Sequence, residues 1–167
     1  MFDFDILDIS DVRSGNDGRG VLGLNQVHLT ERVTEVPRGP ALMLSPETSI
    51  ATAIHSMQRR RRGSAVIVRT QRPLGVVCDR ELLARASAGD IDDLLASPIS
   101  SVMVPCAELL REDDTIATAL RKMCAQRQWH LPIVCGRGLF VGALDVVDLS
   151  LWLRDRLTVL SVEAAFA

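Results

Sequence analysis

The sequence repeats itself, and a repeat constrains a fold more than any composition does. With an offset of 66, residues 33–74 lie on residues 99–140 without a gap. Eleven pairs are identical, among them Val36/Val102, Leu44/Leu110, Ile50/Ile116, Ala53/Ala119, Met57/Met123, Arg61/Arg127, Ile67/Ile133 and Val68/Val134. A one-residue insertion raises the offset to 67, after which Gly75 meets Gly142 and Leu82 meets Leu149. The chain is a duplicated unit of about 60 residues, a length at which a single unit buries only a marginal core. Two copies that cover each other's sheets make one body, with a pseudo-twofold axis and a cleft between them.

Each copy reads the same way. Ile50, Ala53, Ile54 and Met57, like Ile116, Ala119, Leu120 and Met123, recur at i, i+3, i+4 and i+7, which predicts an amphipathic helix. The acids ahead of these runs, Glu47 in one copy and Asp113 and Asp114 in the other, suit a helix N-terminus. Two β-rich runs follow in each copy, Ala65-Val66-Ile67-Val68 with Leu74-Gly75-Val76-Val77, and Leu131-Pro132-Ile133-Val134 with Leu139 to Leu144, each pair joined by a short polar or glycine-bearing link. A second helix opens at Asp79 and stops near Gly89; its counterpart runs from about Val146 towards Leu157. Short extended segments at 42–44 and 109–110 precede the first helices. The predicted class is α+β: two pseudo-twofold-related units, each a small three-stranded sheet with flanking helices. Residues 1–32 are expected to form an arm and linker, 33–95 the first unit, 96–157 the second, and 158–167 a tail.

Composition sets limits on function. The chain has 167 residues, 47% hydrophobic and 24% charged, with a formal charge of −2. A folded domain is expected, and a surface that is wholly a nucleic-acid or anionic-membrane footprint is not. Cys78, Cys106, Cys124 and Cys135 have no metal-ligand spacing and read as reduced core residues of a cytosolic protein. The acidic start MFDFDILDIS is neither a secretory signal nor a transit peptide, and no apolar run approaches a membrane span. The expected setting is the cytoplasm, without a membrane partner.

The segments SPETSIATAIHSM and REDDTIATALRKM, followed by GSAVIVRTQRPLGVVCDRELL and WHLPIVCGRGLFVGALDVVDL, resemble the two halves of cystathionine-β-synthase (CBS) domains. Together they resemble the tandem CBS pair, or Bateman module, over residues 33 to 156. The resemblance implies a regulatory sensor that binds an adenosyl ligand between the copies: AMP, ADP, ATP, adenosine or S-adenosylmethionine. It also implies flat dimers. The family's ligand element, Gly-hydrophobic-hydrophobic-Thr/Ser-x-x-Asp/Asn, puts a hydroxyl near phosphate and a carboxylate on the ribose diol. Here it reads Gly75-Val76-Val77-Cys78-Asp79-Arg80-Glu81 and Gly142-Ala143-Leu144-Asp145-Val146-Val147-Asp148.

The candidate ligand residues implied by the resemblance are thus Asp148, Asp145, Glu81, Cys78, Gly75 and Gly142, with the strand residues Val68 and Val134. A strand end running into a helix aims free amides and the positive end of the helix dipole at a phosphate. Cys78 is a poor donor in place of a hydroxyl, and Asp145 puts a negative charge where phosphate would sit. Glu81 keeps the carboxylate one methylene too far out, whereas Asp148 matches the pattern. Asp145 equally suits a helix N-cap, Asp79 can cap in place of Cys78, and Glu81 and Asp148 suit a first turn. Weakly charged ligands, or AMP with its phosphate turned to Arg127 or Arg137, are expected to outrank ATP at the Asp148 site.

Arg59-Arg60-Arg61-Arg62 is the one charge run, either a solvated helix end or a phosphate or nucleic-acid contact. His28, His55 and His130 are scattered and read as neither catalytic nor metal-binding. Trp129 lies near the family's adenine pocket or else on the surface; Trp152, Leu149, Leu153 and Leu157 form an apolar face for core or dimer contact. No nucleophile with a base beside it, no Walker or GxGxxG element and no HExxH is present, so no catalytic residue, no metal site and no enzymatic activity are expected. Three functions remain open: an adenosyl-ligand sensor acting on an effector protein that the sequence does not identify, a ligand-free dimerisation scaffold, and nucleic-acid binding through the arginine run.

Overall fold

The computed structural model describes residues 29–87 and 90–165, with side chains to 156. In chain order the elements are β1 (Met43–Leu44), α1 (Ile50–Arg60), β2 (Ser64–Arg69), β3 (Arg72–Cys78), α2 (Asp79–Ala86), α3 (Ile91–Ala96), β4 (Val104–Pro105), β5 (Leu110–Arg111), α4 (Ile116–Gln126), β6 (His130–Val134), β7 (Phe140–Asp145) and α5 (Val146–Ala165). Short 3-10 turns stand at Val33–Glu35 and Ile99–Ser101. The fold is mixed α+β, as expected. Residues 1–28 of the N-terminal arm, His28 among them, and Gly89 lie outside the described residues.

The repeat is reproduced down to its helix caps. Ser49 and Thr115, not the preceding acids, cap α1 and α4, each side chain accepting from the backbone N–H three residues on, Thr52 and Thr118. Both helices end in the left-handed region on an arginine, Arg61 at φ 51° and Arg127 at φ 50°. The next N–H closes the helix on the carbonyl of Met57 or Met123. The β2–β3 hairpin turns through Thr70 and Gln71, both at positive φ; the β6–β7 link is longer and uses Gly138 at φ 74°.

Each hairpin is joined by a parallel first strand, β1 on β2 and β5 on β6, which realises the extended segments expected at 42–44 and 109–110. One sheet is larger than expected. β4 adds antiparallel to β3, so the first sheet is four-stranded in the order β1-β2-β3-β4, whereas the second is β5-β6-β7. The two helices after the hairpins also differ from expectation. α2 ends at Ala86 and is followed by α3, while α5 continues to Ala165, past Leu157 and through most of the presumed tail.

Two apolar cores lie under these sheets, and their membership crosses the sequence units. The first contains Leu42, Ile50, Ala53, Met57, Ala65, Ile67, Val77 and Leu82, together with Ile99 and Val102 from the start of the second repeat. The second contains Leu110, Ile116, Ala119, Met123, Leu131, Ile133, Leu144, Leu149 and Trp152, together with Val33 and Val36 from the start of the first. Backbone hydrogen bonds pin both crossings: Ile99 N–H to Thr48 O and Ile50 N–H to Ser97 O on one side, Val33 N–H to Asp114 O and Ile116 N–H to Glu31 O on the other. No cysteine belongs to either core. Cys78, Cys106 and Cys135 are half-buried and Cys124 is exposed, all four free, because they stand at strand ends, loops and an outer helix face.

Candidate functional site

Two clefts occupy equivalent places in the two copies. The first, a narrow cleft of about 30 Å³, forms where β7 runs into α5; Asp145 and Asp148 face Gly39, Leu42, Arg62, Ser64 and His130. The second, about 290 Å³, forms where β3 runs into α2; Cys78 and Glu81 face Pro105, Ala107, Arg127, Trp129 and His130, with Arg80 at the rim. At the repeat offsets Asp145 answers to Cys78, Asp148 to Glu81, Gly39 to Pro105 and Ser64 to His130. Each cleft therefore takes the strand-to-helix junction of one copy and the strand entry of the other.

In the first cleft Asp145 is fully engaged. One carboxylate oxygen accepts the Val147 N–H at 2.7 Å, the N-cap bond expected of it, and the other accepts from His130 Nδ1 at 2.6 Å. Burial by itself would raise this carboxyl; the His130 bond, the Val147 amide and the charge of Arg62 outweigh it and hold the group below the ordinary aspartate range. Asp148, in the first turn of α5, is pushed the other way, by burial first and then by the charge of Asp145, against the pull of Arg62 and Arg38. Arg62 reaches this cleft because Arg61 turns the chain. Gly39 leaves room for it: a Cβ there would fall 1.8 Å from Arg62 Nη2. The cation beside Asp148 is thus Arg62, not Arg127 or Arg137; Arg127 lines the other cleft, and Arg137 sits in the β6–β7 link beside Cys135.

In the second cleft Glu81 is turned back on its own helix. Its carboxylate accepts from the Cys78 N–H at 3.0 Å and from the Cys78 thiol, a capping box that closes the N-terminus of α2. Cys78, not Asp79, is the N-cap, and burial followed by the Glu81 contact raises its thiol above the ordinary range. Trp129 is 42% exposed on the wall of this cleft.

The remaining candidates line neither cleft. Gly75 is buried against β4, where a Cβ would stand 2.7 Å from Val104 O, so the close approach of a strand explains it. Gly142 has nothing within 4 Å of such a Cβ. Val68 lines a separate hollow at the hairpin end with Met43, Thr70 and Phe140, and Val134 is buried in β6. Arg62 and His130 were not singled out for the site from the sequence. The signal for His130 lies in the hairpin: folding β6 on β7 puts it directly opposite Asp145. The arginine run does not act as one patch, since Arg59 and Arg60 are exposed on α1 while Arg62 turns into the cleft. Of the apolar face on α5, Leu149 and Trp152 are core and Leu153 packs against it; the side chain of Leu157 lies outside the described residues. His55 is exposed on α1. Among the described residues no group of three or more His, Cys, Asp or Glu could hold a metal ion, and no helix is long and apolar enough to cross a membrane.

The CBS domain family matches residues 33–88. A CBS domain protein from Pyrobaculum aerophilum complexed with AMP is 26% identical, covers 71% of this chain and 90% of its own, and superposes with a TM-score of 0.63. A CBS domain-containing protein from Thermotoga maritima is 20% identical over 77% of this chain and 97% of its own, with a TM-score of 0.65, a likeness of fold. A 17.7 kDa protein from Acidianus ambivalens is 28% identical over 128 residues, 76% of each chain. Residues 33–88 thus carry the match to a CBS domain, and the fold is that of the CBS-domain pair.

Proposed function

We propose that this protein is a regulatory module that binds an adenosyl ligand between its two copies and passes the resulting change to an effector protein, working as a twofold homodimer in the cytoplasm, with no reaction of its own. The observation that carries the reading is Asp148, a carboxylate in the first turn of α5 that faces a cleft also lined by Arg62. A carboxylate there can accept two hydrogen bonds from a ribose diol, and the guanidinium beside it offers a planar set of donors for a phosphate. The AMP complex of the Pyrobaculum aerophilum protein supports the ligand class. Asp145 favours ligands of low negative charge in this cleft: adenosine, AMP on Arg62, or S-adenosylmethionine above ATP.

Calorimetric titration of the full chain with AMP, ADP, ATP and S-adenosylmethionine tests this. At least one is expected to bind, and Asp148→Ala to weaken the favoured ligand about tenfold or more. Absence of heat with all four at millimolar concentration overturns the ligand reading. A second reading, a ligand-free dimerisation scaffold, is favoured by the Glu81–Cys78 capping box, which leaves that carboxylate occupied within its own helix.

A further inference from the structure

One residue belongs to both clefts. His130 is the first residue of β6; it lines the Asp145–Asp148 cleft and also the Cys78–Glu81 cleft, and its Nδ1 is committed to Asp145 at 2.6 Å. Nε2 is the ring atom left for a ligand on the other side. A neutral imidazole carries a single N–H and so can donate to one partner at a time. Arg80 and Arg127 on the second cleft make it the place where an anionic ligand would bring an acceptor towards His130.

Resting on the adenosyl reading above, we infer that Asp145 and a ligand phosphate in the Trp129 cleft compete for the proton of His130, so that the two clefts are negatively coupled through this side chain. With the proton on Nδ1, Asp145 is satisfied and the second cleft meets a bare acceptor nitrogen. When a phosphate takes the donor through Nε2–H, the proton leaves Nδ1 and Asp145 loses the His130 bond while keeping the Val147 amide. Asp145, left beside Asp148 with the Val147 amide alone, then disfavours an anion in the first cleft. By linkage the effect is reciprocal: a ligand that reinforces the His130–Asp145 pair weakens phosphate binding across it.

A double-mutant cycle separates this coupling from general charge effects. The probe is AMP, and the readout is tryptophan emission. Trp129 lines the second cleft, whereas Trp152 is 4% exposed in a core and supplies a constant background. Asp145→Thr keeps an oxygen for the Val147 amide and gives up the charged acceptor. It is expected to tighten AMP in the Trp129 cleft about fivefold, to leave adenosine, which has no phosphate, unchanged, and to have no effect in the His130→Ala chain. His130→Asn, which keeps a donor towards Asp145 and offers no second nitrogen, is expected to abolish the effect as well; circular dichroism checks that each variant is folded. An unchanged AMP affinity in Asp145→Thr, or an equal gain without His130, overturns the coupling and leaves the adenosyl reading standing. Absence of any emission change or heat with millimolar AMP in the wild-type chain removes both.

Discussion

Two carboxylates one helical turn apart, Asp145 and Asp148, have opposite effects on stability. The pKa of Asp145 is lower in the folded chain than in the unfolded one, so it stabilises the fold above the ordinary aspartate range and that contribution is lost as pH falls. The pKa of Asp148 is raised by burial and by Asp145, so its ionised form costs stability at neutral pH and the cost is relieved as pH falls. The group is partly solvated, so the cost is under about 1 kcal/mol. Asp148→Asn is therefore expected to raise the melting temperature at pH 7 by up to about 3 °C, with the gain disappearing below about pH 4. Asp145→Asn is expected to lower it at pH 7. Thermal melts of both variants across that range check the signs; an Asp148→Asn chain less stable than wild type at pH 7 would contradict them. A carboxylate proposed for binding that costs the fold stability is the ordinary trade of stability for function.

At the level of elements the extra strand of the first copy is felt at one equivalent pair of glycines. β3 has β4 on its outer edge, and a Cβ at Gly75 would meet the Val104 carbonyl at 2.7 Å and the Met103 sulfur at 2.9 Å. β7 has no strand on its outer edge among the described residues, and a Cβ at Gly142 meets nothing. Gly75→Ala is expected to displace β4 and cost about 1 to 3 kcal/mol, as overpacking of a tight contact does. Gly142→Ala is expected to stay within about 0.5 kcal/mol of wild type. Urea unfolding of the two variants gives the comparison directly; equal costs would mean that β4 does not fix Gly75. A family motif assigns both glycines to the ligand, but packing assigns the first to its own sheet.

The whole molecule is tied together by the crossed segments. Ile99 and Val102 complete the first core and Val33 and Val36 the second, so neither core is made of one continuous stretch of chain. The outer helices still leave apolar surface. Leu83 on α2 is 70% exposed, Val147 and Leu151 on α5 are 59% and 45%, and a groove beside α1 and α2 is lined by Ile54, Met57, Leu82 and Leu83. Fully burying one such side chain is worth about 1.5 to 3 kcal/mol, and a closed twofold contact buries each residue twice. Light scattering at micromolar concentration is expected to return about double the 18.3 kDa chain mass. A mass of 18.3 kDa would show that the face stays open, and the homodimer would be withdrawn.

The repeat by itself determined a great deal: two helix-and-hairpin units, a short extended segment ahead of each, the buried faces of the first helices, and Asp148 in a first helical turn. These follow from local periodicity and from spacing that is equal in both copies. It could not decide which core each leading segment joins, because Val33 and Ile99, and Val36 and Val102, are apolar in the same places and suit either core. The partners in the clefts were likewise set by tertiary structure. Arg62 enters the first cleft because the backbone turns left-handed at Arg61. His130 meets Asp145 because antiparallel pairing makes them opposite neighbours. Glu81 turns back to Cys78 because an N-terminal N–H within reach of its longer side chain is satisfied first.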